Sequence, residues 1–294
     1  MTKNMKESTG EKIGNGVNIA LLILVSLLCL YPLWYVFVAS ISESNLLMQH
    51  SGILLKPVGF SMSAYEKVKN NPMISKGYMN TLFILVVGTV LDILLTSLGA
   101  YFLSRKNVYF KKPIMILIVI TMFFQGGMIP FYLNLKSLHM TNTLWGLIIP
   151  FMINTQNLII LRSGFEAVPE SLIESARIDG ASHYTVLFKI VLPLSKAIIA
   201  VVTLYYSVSI WNSWFWASAI LRDRSMYPLQ LILREILLEN SLNGMAANAG
   251  TDSESVAMTI KYATVIVATL PILCVYPFLQ RYFTNGIMIG AVKG

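Results

Sequence analysis

Side chains able to recognise a polar solute lie inside otherwise apolar sequence. Tyr205, Tyr206, Trp211, Asn212, Trp214 and Trp216 form the densest cluster, with Gln125, Tyr132 and Asn134 and then Asn154, Gln156 and Asn157 as smaller groups. Amide and hydroxyl edges beside flat aromatic faces suit a sugar, whose hydroxyls need hydrogen bonds and whose ring stacks. The same residue types also serve as interfacial belts and helix joints. Asp92 is the one acid deep in an apolar stretch, which makes it a candidate proton or cation site. No second acid, His or Arg stands at comparable depth, so packing against a polar neighbour is the favoured role. Catalytic constellations are missing: G-x-x-x-x-G-K-[ST], H-E-x-x-H and G-x-S-x-G do not occur. His50 and His139 have no second ligand at metal spacing.

The other candidate is a loop, residues 163–196, long, mixed in charge and helix-forming. Pro169 suits a first helical turn and Glu170 the positive end of the helix dipole. Gly180 ends this helix in a left-handed conformation and Ser182 can cap a second one. In that second helix Tyr184, Leu187, Phe188 and Val191 are spaced to form one apolar face. The product is two short amphipathic helices joined at a glycine and ended by Pro193. Such a pair requires a protein groove or a bilayer surface, and four acids (Glu166, Glu170, Glu174, Asp179) disfavour an anionic leaflet.

The elements positioning these residues follow from charge spacing. The chain has 294 residues, 55% apolar and 12% charged, against about 25% charged in a soluble domain, which argues against a soluble enzyme. Charge-free windows run over 13–42, 113–135, 137–161, 197–221 and 262–280, and a sixth, 77–104, is interrupted only by Asp92. They predict six membrane helices near 17–40, 78–103, 113–134, 143–162, 197–221 and 260–282. The first is too long for a signal peptide and lacks a small-x-small cleavage site, so it is expected to be retained. The net charge of +8 belongs to loops rather than to nucleic-acid binding, because no basic run is interleaved with aromatics. The 104–112 loop carries four basic residues and no acid, which places it and both termini in the cytoplasm. Cys29 and Cys274 both fall in predicted spans, which excludes a disulfide framework.

Glu174-Ser175-Ala176, three residues, Gly180, nine residues and Ile190-Val191-Leu192-Pro193 resembles the EAA loop of permease subunits of ABC importers. Ser175 stands where that family prefers Ala. With six spans, the loop between the fourth and fifth, and the tail Gly286 to Gly294, the chain is similar to sugar-importer permeases of the maltose type. Within these it looks closest to oligosaccharide and polysaccharide permeases of lipoprotein-dependent Gram-positive systems.

The resemblance implies an all-α type I importer permease fold. Its parts would be a cytoplasmic segment 1–16, a six-helix domain 17–283 with the coupling loop 163–196, and a cytoplasmic tail 284–294. It implies that Glu174, Ser175, Ala176, Asp179, Gly180, Ile190, Leu192 and Pro193 couple to a separate ATPase, with Glu174 offered to a basic residue there and Ser175 and Ala176 keeping the contact close. The implied partners are a second homologous permease, two ATPase subunits that hold ATP and Mg, and an extracellular binding lipoprotein that delivers an oligosaccharide. No cofactor is implied on this chain itself. Tyr205, Trp211, Asn212, Trp214, Gln125 and Asn154 are then the pathway candidates. Amino-acid or phosphate import and an ion-coupled secondary carrier using Asp92 are the alternatives; no internal repeat of the secondary-carrier kind is visible.

Overall fold

A computed structural model describes residues 9–106, 108–246 and 257–274. The fold is all-α: among the described residues the only β pairing is an isolated antiparallel bridge between Ser42 and Phe60. The chain divides into two compact units, Met1–Asn70 with Ile236–Val267, and Asn71–Glu235 with Ala268–Gly294.

In the first unit, helix α1 (Thr9–Ser40) leads to the short helices α2 (Ser44–Gln49) and α3 (Ser63–Lys69). Leu21, Leu24, Leu28 and Leu33 of α1 are exposed, as expected of side chains whose solvent is hydrocarbon. Its C-terminal end packs Val38 and Ala39 against Leu47 and Leu54, and Tyr35 meets Tyr262 edge-on at 5.8 Å.

Helix α4 (Pro72–Ser104) is the axis of the second unit. Asn71 accepts a hydrogen bond from Met73 N–H and Pro72 occupies the first turn, where its missing donor costs nothing. Its 33 residues extend about 50 Å, enough to cross a bilayer. Three expected helices are not continuous. The third is broken into α5 (Lys111–Phe123) and α6 (Met128–Ser137), bent by 113°. The reason is the glycine pair before α6, with Gly127 at φ +86°, and Pro130, which fits only a first turn. The fourth begins as 3₁₀ turns, Leu144–Leu147 and Ile149–Phe151, and continues after a 49° bend as α7 (Thr155–Glu166). Pro150 cannot donate there, and Asn154 starts α7 afresh by accepting Asn157 N–H at 3.1 Å.

The 163–196 segment supplies α8 (Glu170–Ile178), α9 (His183–Val186), a π turn (Leu187–Val191) and α10 (Leu192–Leu194). An 87° bend leads into α11 (Lys196–Trp211), and the expected helix to 221 is interrupted before α12 (Phe215–Ile220). Asn212 causes that interruption by turning its Nδ2 back onto Val208 O at 2.9 Å. After α13 (Leu229–Ala246), which enters the first unit, α14 (Ala257–Cys274) carries the described part of the sixth expected span. Its expected extension to 282 and the tail 284–294 lie outside the described residues, as do residues 1–8.

Two apolar clusters sit along α4. One joins Ile84 to Leu135, Leu147, Ala217, Ile220 and Leu231; the other joins Ala100, Tyr101 and Leu103 to α7, the coupling loop and α11. Sixteen residues of helix, about 24 Å, separate Ile84 from Ala100. Near the first cluster, Asn142 at φ +57° accepts the N–H groups of Arg222 and Asp223, each at 2.9 Å, pinning the exit of α12. Asp223 in turn receives Ser225 N–H at 2.8 Å, which holds its carboxyl below the ordinary carboxylate range. Gly146 lies where a Cβ would overlap the Met140 carbonyl and crowd Ile220. Gly146→Ala is therefore expected to destabilise the unit by about 1–3 kcal/mol, read as a lower unfolding temperature of the detergent-solubilised protein. An unchanged temperature would mean that the 3₁₀ turn yields freely.

Candidate functional site

Between those clusters a cavity of about 400 Å³ opens on α4, the start of α7 and α11. From α4 come Ile84, Gly88 and Asp92, four residues apart and hence on one face. Asn154, Gln156 and Asn157 come from the bent fourth segment, and Tyr205, Tyr206 and Ser209 from α11. None of the lining residues is Lys, Arg or His. Asp92 is 3% exposed. A smaller cavity of about 190 Å³ shares Ile84, Phe151 and Ser209 and adds Thr81, Ser213 and Trp216.

The wall is held by one phenol. Tyr206 Oη accepts the backbone N–H of Asn154 at 2.9 Å and is paired with Thr96 Oγ1 at 2.7 Å. This ties α11, α4 and the N-terminus of α7 together, and satisfies a backbone donor exposed by the break in the fourth span.

Two of the six pathway candidates, Tyr205 and Asn154, line the main cavity. The other four do not. Trp211 is 5% exposed, with its ring edge-on to Tyr78 at 6.4 Å. Asn212 serves the helix end, Trp214 lies under the Arg234 guanidinium at 4.4 Å, and Gln125 is exposed in the turn between α5 and α6. The sequence cluster was therefore split by the interruption after Trp211, which a continuous-helix reading could not show. Gly88 and Ser209 were passed over in sequence. Their signal was spacing, Gly88 one turn before Asp92 and Ser209 one turn after Tyr205.

The loop is built as its glycine requires. Gly180 has φ +81°, its N–H donates to Arg177 O at 3.0 Å, and Ala181 N–H donates to Ala176 O at 2.9 Å. This paired pattern closes α8 in a Schellman turn. Ser182 Oγ then accepts Thr185 N–H at 3.2 Å and starts α9. The expected face of Tyr184, Leu187, Phe188 and Val191 is not the packed one. Val186, Leu187 and Val191 are buried, whereas Tyr184 and Phe188 are exposed. The cause is the π turn, in which Leu192 N–H reaches Leu187 O five residues back, next to Pro193, which cannot donate.

Ile173, Val186, Leu187 and Val191 enter the same core as Leu161 and Phe165 of α7. Ala176 packs at its edge, so its small side chain serves that core. Glu174, Ser175 and Asp179 are exposed, with Ser175 Oγ donating to Ser171 O at 2.9 Å. Leu172, Ile178, Tyr184 and Phe188 are exposed apolar side chains on the same hairpin. Pro193 and Leu194 are exposed and Ile190 and Leu192 half-buried.

Residues 112–289 match the family described as binding-protein-dependent transport system inner membrane component. The chain is 41% identical over 274 residues to the polygalacturonan/rhamnogalacturonan transport system permease protein YtcP of Bacillus subtilis, covering 93% of this chain and 96% of that one. It is 37% identical over 290 residues to protein LplC of the same organism, covering 99% and 98%. A solved chain of a bacterial ABC transporter involved in the import of the acidic polysaccharide alginate superposes with a TM-score of 0.87 at 32% identity, covering 95% of this chain and all of that one. The chain is thus a multi-pass, non-catalytic transport component that belongs to the binding-protein-dependent inner-membrane family, whose members act with a permease partner, an ATPase and a substrate-binding protein.

Proposed function

We propose that this chain forms, with a second and different permease, the membrane path for an oligosaccharide delivered by an extracellular binding lipoprotein. The observation that carries the reading is the cavity beside α4, which combines amide, hydroxyl and aromatic groups with one carboxylate and no cation. Those are the groups that replace water around a polyhydroxylated ring. The relatives named for polygalacturonan and alginate transport support a carbohydrate over an amino acid or phosphate. Phosphate would further require positive charge that the lining does not supply. Tyr205 and Asn154 are the pathway residues in this reading, joined by Gln156 and Asp92. Trp211 is assigned to packing.

ATP and Mg are held by the two ATPase subunits, and the coupling hairpin transmits their closure. Exposed Leu172, Ile178, Tyr184 and Phe188 fit an apolar cleft on the ATPase, and Glu174 offers a carboxylate to a basic residue there. Because Ile173, Val186, Leu187 and Val191 share a core with α4, α7 and α11, movement of the hairpin must carry those helices with it. Pro193 and the 87° bend set the angle at which α11 leaves. The hairpin end and both termini are cytoplasmic in this reading, as the basic 104–112 loop requires.

Uptake and ATPase activity of the reconstituted importer test this in two places. Gly180→Val forces a β-branched residue into the left-handed region and is expected to abolish substrate-stimulated ATPase activity while membrane insertion persists; Gly180→Asn, which tolerates that region, retains it. Normal stimulation in the valine variant would overturn the coupling role. Gln156→Leu is expected to slow uptake about five- to tenfold, the worth of one lost hydrogen bond, with unfolding temperature unchanged. Trp211→Ala is expected to lower unfolding temperature first, by the loss of about 3–5 kcal/mol of packing.

A further inference from the structure

At the hairpin end of α4 lies a second cavity, about 490 Å³, whose composition is opposite to that of the pathway. Arg105, Lys106 and Arg177 bring three permanent cations to it against the single carboxylate of Glu170. Arg105 is 6% exposed, and the surroundings fix its plane. Nε and Nη2 donate to Ser104 Oγ at 3.1 and 3.0 Å, Nη2 donates also to Phe165 O at 3.1 Å, and the guanidinium stands 5.2 Å from the Tyr101 ring centroid. Nη1 is left over. It is buried, has no hydrogen-bond partner among the described residues, and lies 3.8 Å from Glu170 Oε2, beyond hydrogen-bond reach. Its ion pair with Glu170 is the charge compensation this buried nitrogen has. Across the cavity Arg177 Nη2 stands 3.2 Å from the His183 ring nitrogens, which holds this second guanidinium at the wall.

The remaining lining identifies the kind of anion. Leu98 and Phe102 of α4 are one helical turn apart, and Phe102 is exposed. They lie within the last two turns of the helix, which ends at Ser104, so apolar surface and basic pocket adjoin there. We propose that this cavity binds the phosphate of an anionic phospholipid, with the headgroup on Arg105, Lys106 and Arg177 and the acyl chains along Leu98 and Phe102. Guanidinium forks match phosphate oxygens, and a basic pocket beside a membrane helix is suited to an anionic headgroup. A lipid held there would touch α4 and both helices of the coupling hairpin, so lipid composition would act on the stability of the coupling end. The choice of the inner leaflet rests on the orientation proposed above; the site itself does not.

The test uses the complete importer in detergent, titrated with short-chain phosphatidylglycerol, short-chain phosphatidylcholine or inorganic phosphate, with unfolding temperature as the readout. Phosphatidylglycerol is expected to raise that temperature saturably and phosphatidylcholine is not. Lys106→Gln with Arg177→Gln should weaken the effect about 25-fold in lipid concentration, about fivefold for each basic group. Lys189→Gln with Lys196→Gln, which removes two exposed cations outside the cavity, should leave it unchanged. Equal responses to the two lipids, or an equal loss in the control pair, would overturn the proposal. Full stabilisation by inorganic phosphate alone would overturn the lipid assignment. Because binding is read without transport or orientation, failure here leaves the pathway reading standing, and failure of that reading leaves this one testable.

Discussion

The hydroxyl of Tyr206 is the point on which the second unit turns. It accepts the N–H of Asn154 and reaches Thr96 Oγ1, so a single side chain closes a break in one membrane segment and locks it to two others. In hydrocarbon an unpaired backbone donor costs several kcal/mol, and irregular backbone survives there only where protein or a cavity satisfies it. The break at Asn154 is such a place. It exists because the cavity needs Asn154, Gln156 and Asn157 turned inward, and it is tolerable because Tyr206 covers the donor that the bend exposes. Tyr206 also belongs to the apolar core that receives the hairpin of α8 and α9, which makes it the physical junction between the cavity wall and that hairpin.

That junction explains why the motif in the loop has the residues it does. Gly180 is needed because the Schellman turn requires a positive φ there. Ala176 is small because it sits against the core, and its carbonyl closes the same turn. The residues left outside, Glu174 and the exposed apolar side chains of α8 and α9, are free to meet another protein. Inner positions thus bind the hairpin to the helices, and outer ones leave a carboxylate and apolar side chains exposed.

The two cavities of this unit are electrostatic opposites. The cavity beside Asp92 has one carboxylate and no cation, whereas the cavity at the hairpin end gathers three cations around Glu170. Arg105 stands at the head of a loop whose four basic residues read as a simple orientation signal. Lys111, in the same loop, pairs with Glu166 at 3.2 Å, and Glu166 pairs also with Arg162. Part of what looks like topology-setting charge is therefore also structural.

Composition and the spacing of charges determined that this chain is an all-α membrane protein, because hydrocarbon excludes charge over the length of a span and that exclusion is written linearly. The glycine turn was equally legible, since positive φ is a local demand met by few residue types. The cavity membership of Trp211 and Asp92 was not. Both lie in apolar sequence, yet one is packed against Tyr78 and the other lines the cavity, because periodicity says which residues share a helix face and not which neighbour that face meets. The packed face of the hairpin's second segment was hidden for another reason: a π turn before Pro193 shifts the register, and hydrogen bonds five residues apart cannot be seen in a pattern of apolar positions. Sequence periodicity assumes continuous helices, and in this protein the discontinuities, held by prolines, a glycine turn, a local Asn212 bond and the tertiary bond of Tyr206, decide which side chains meet.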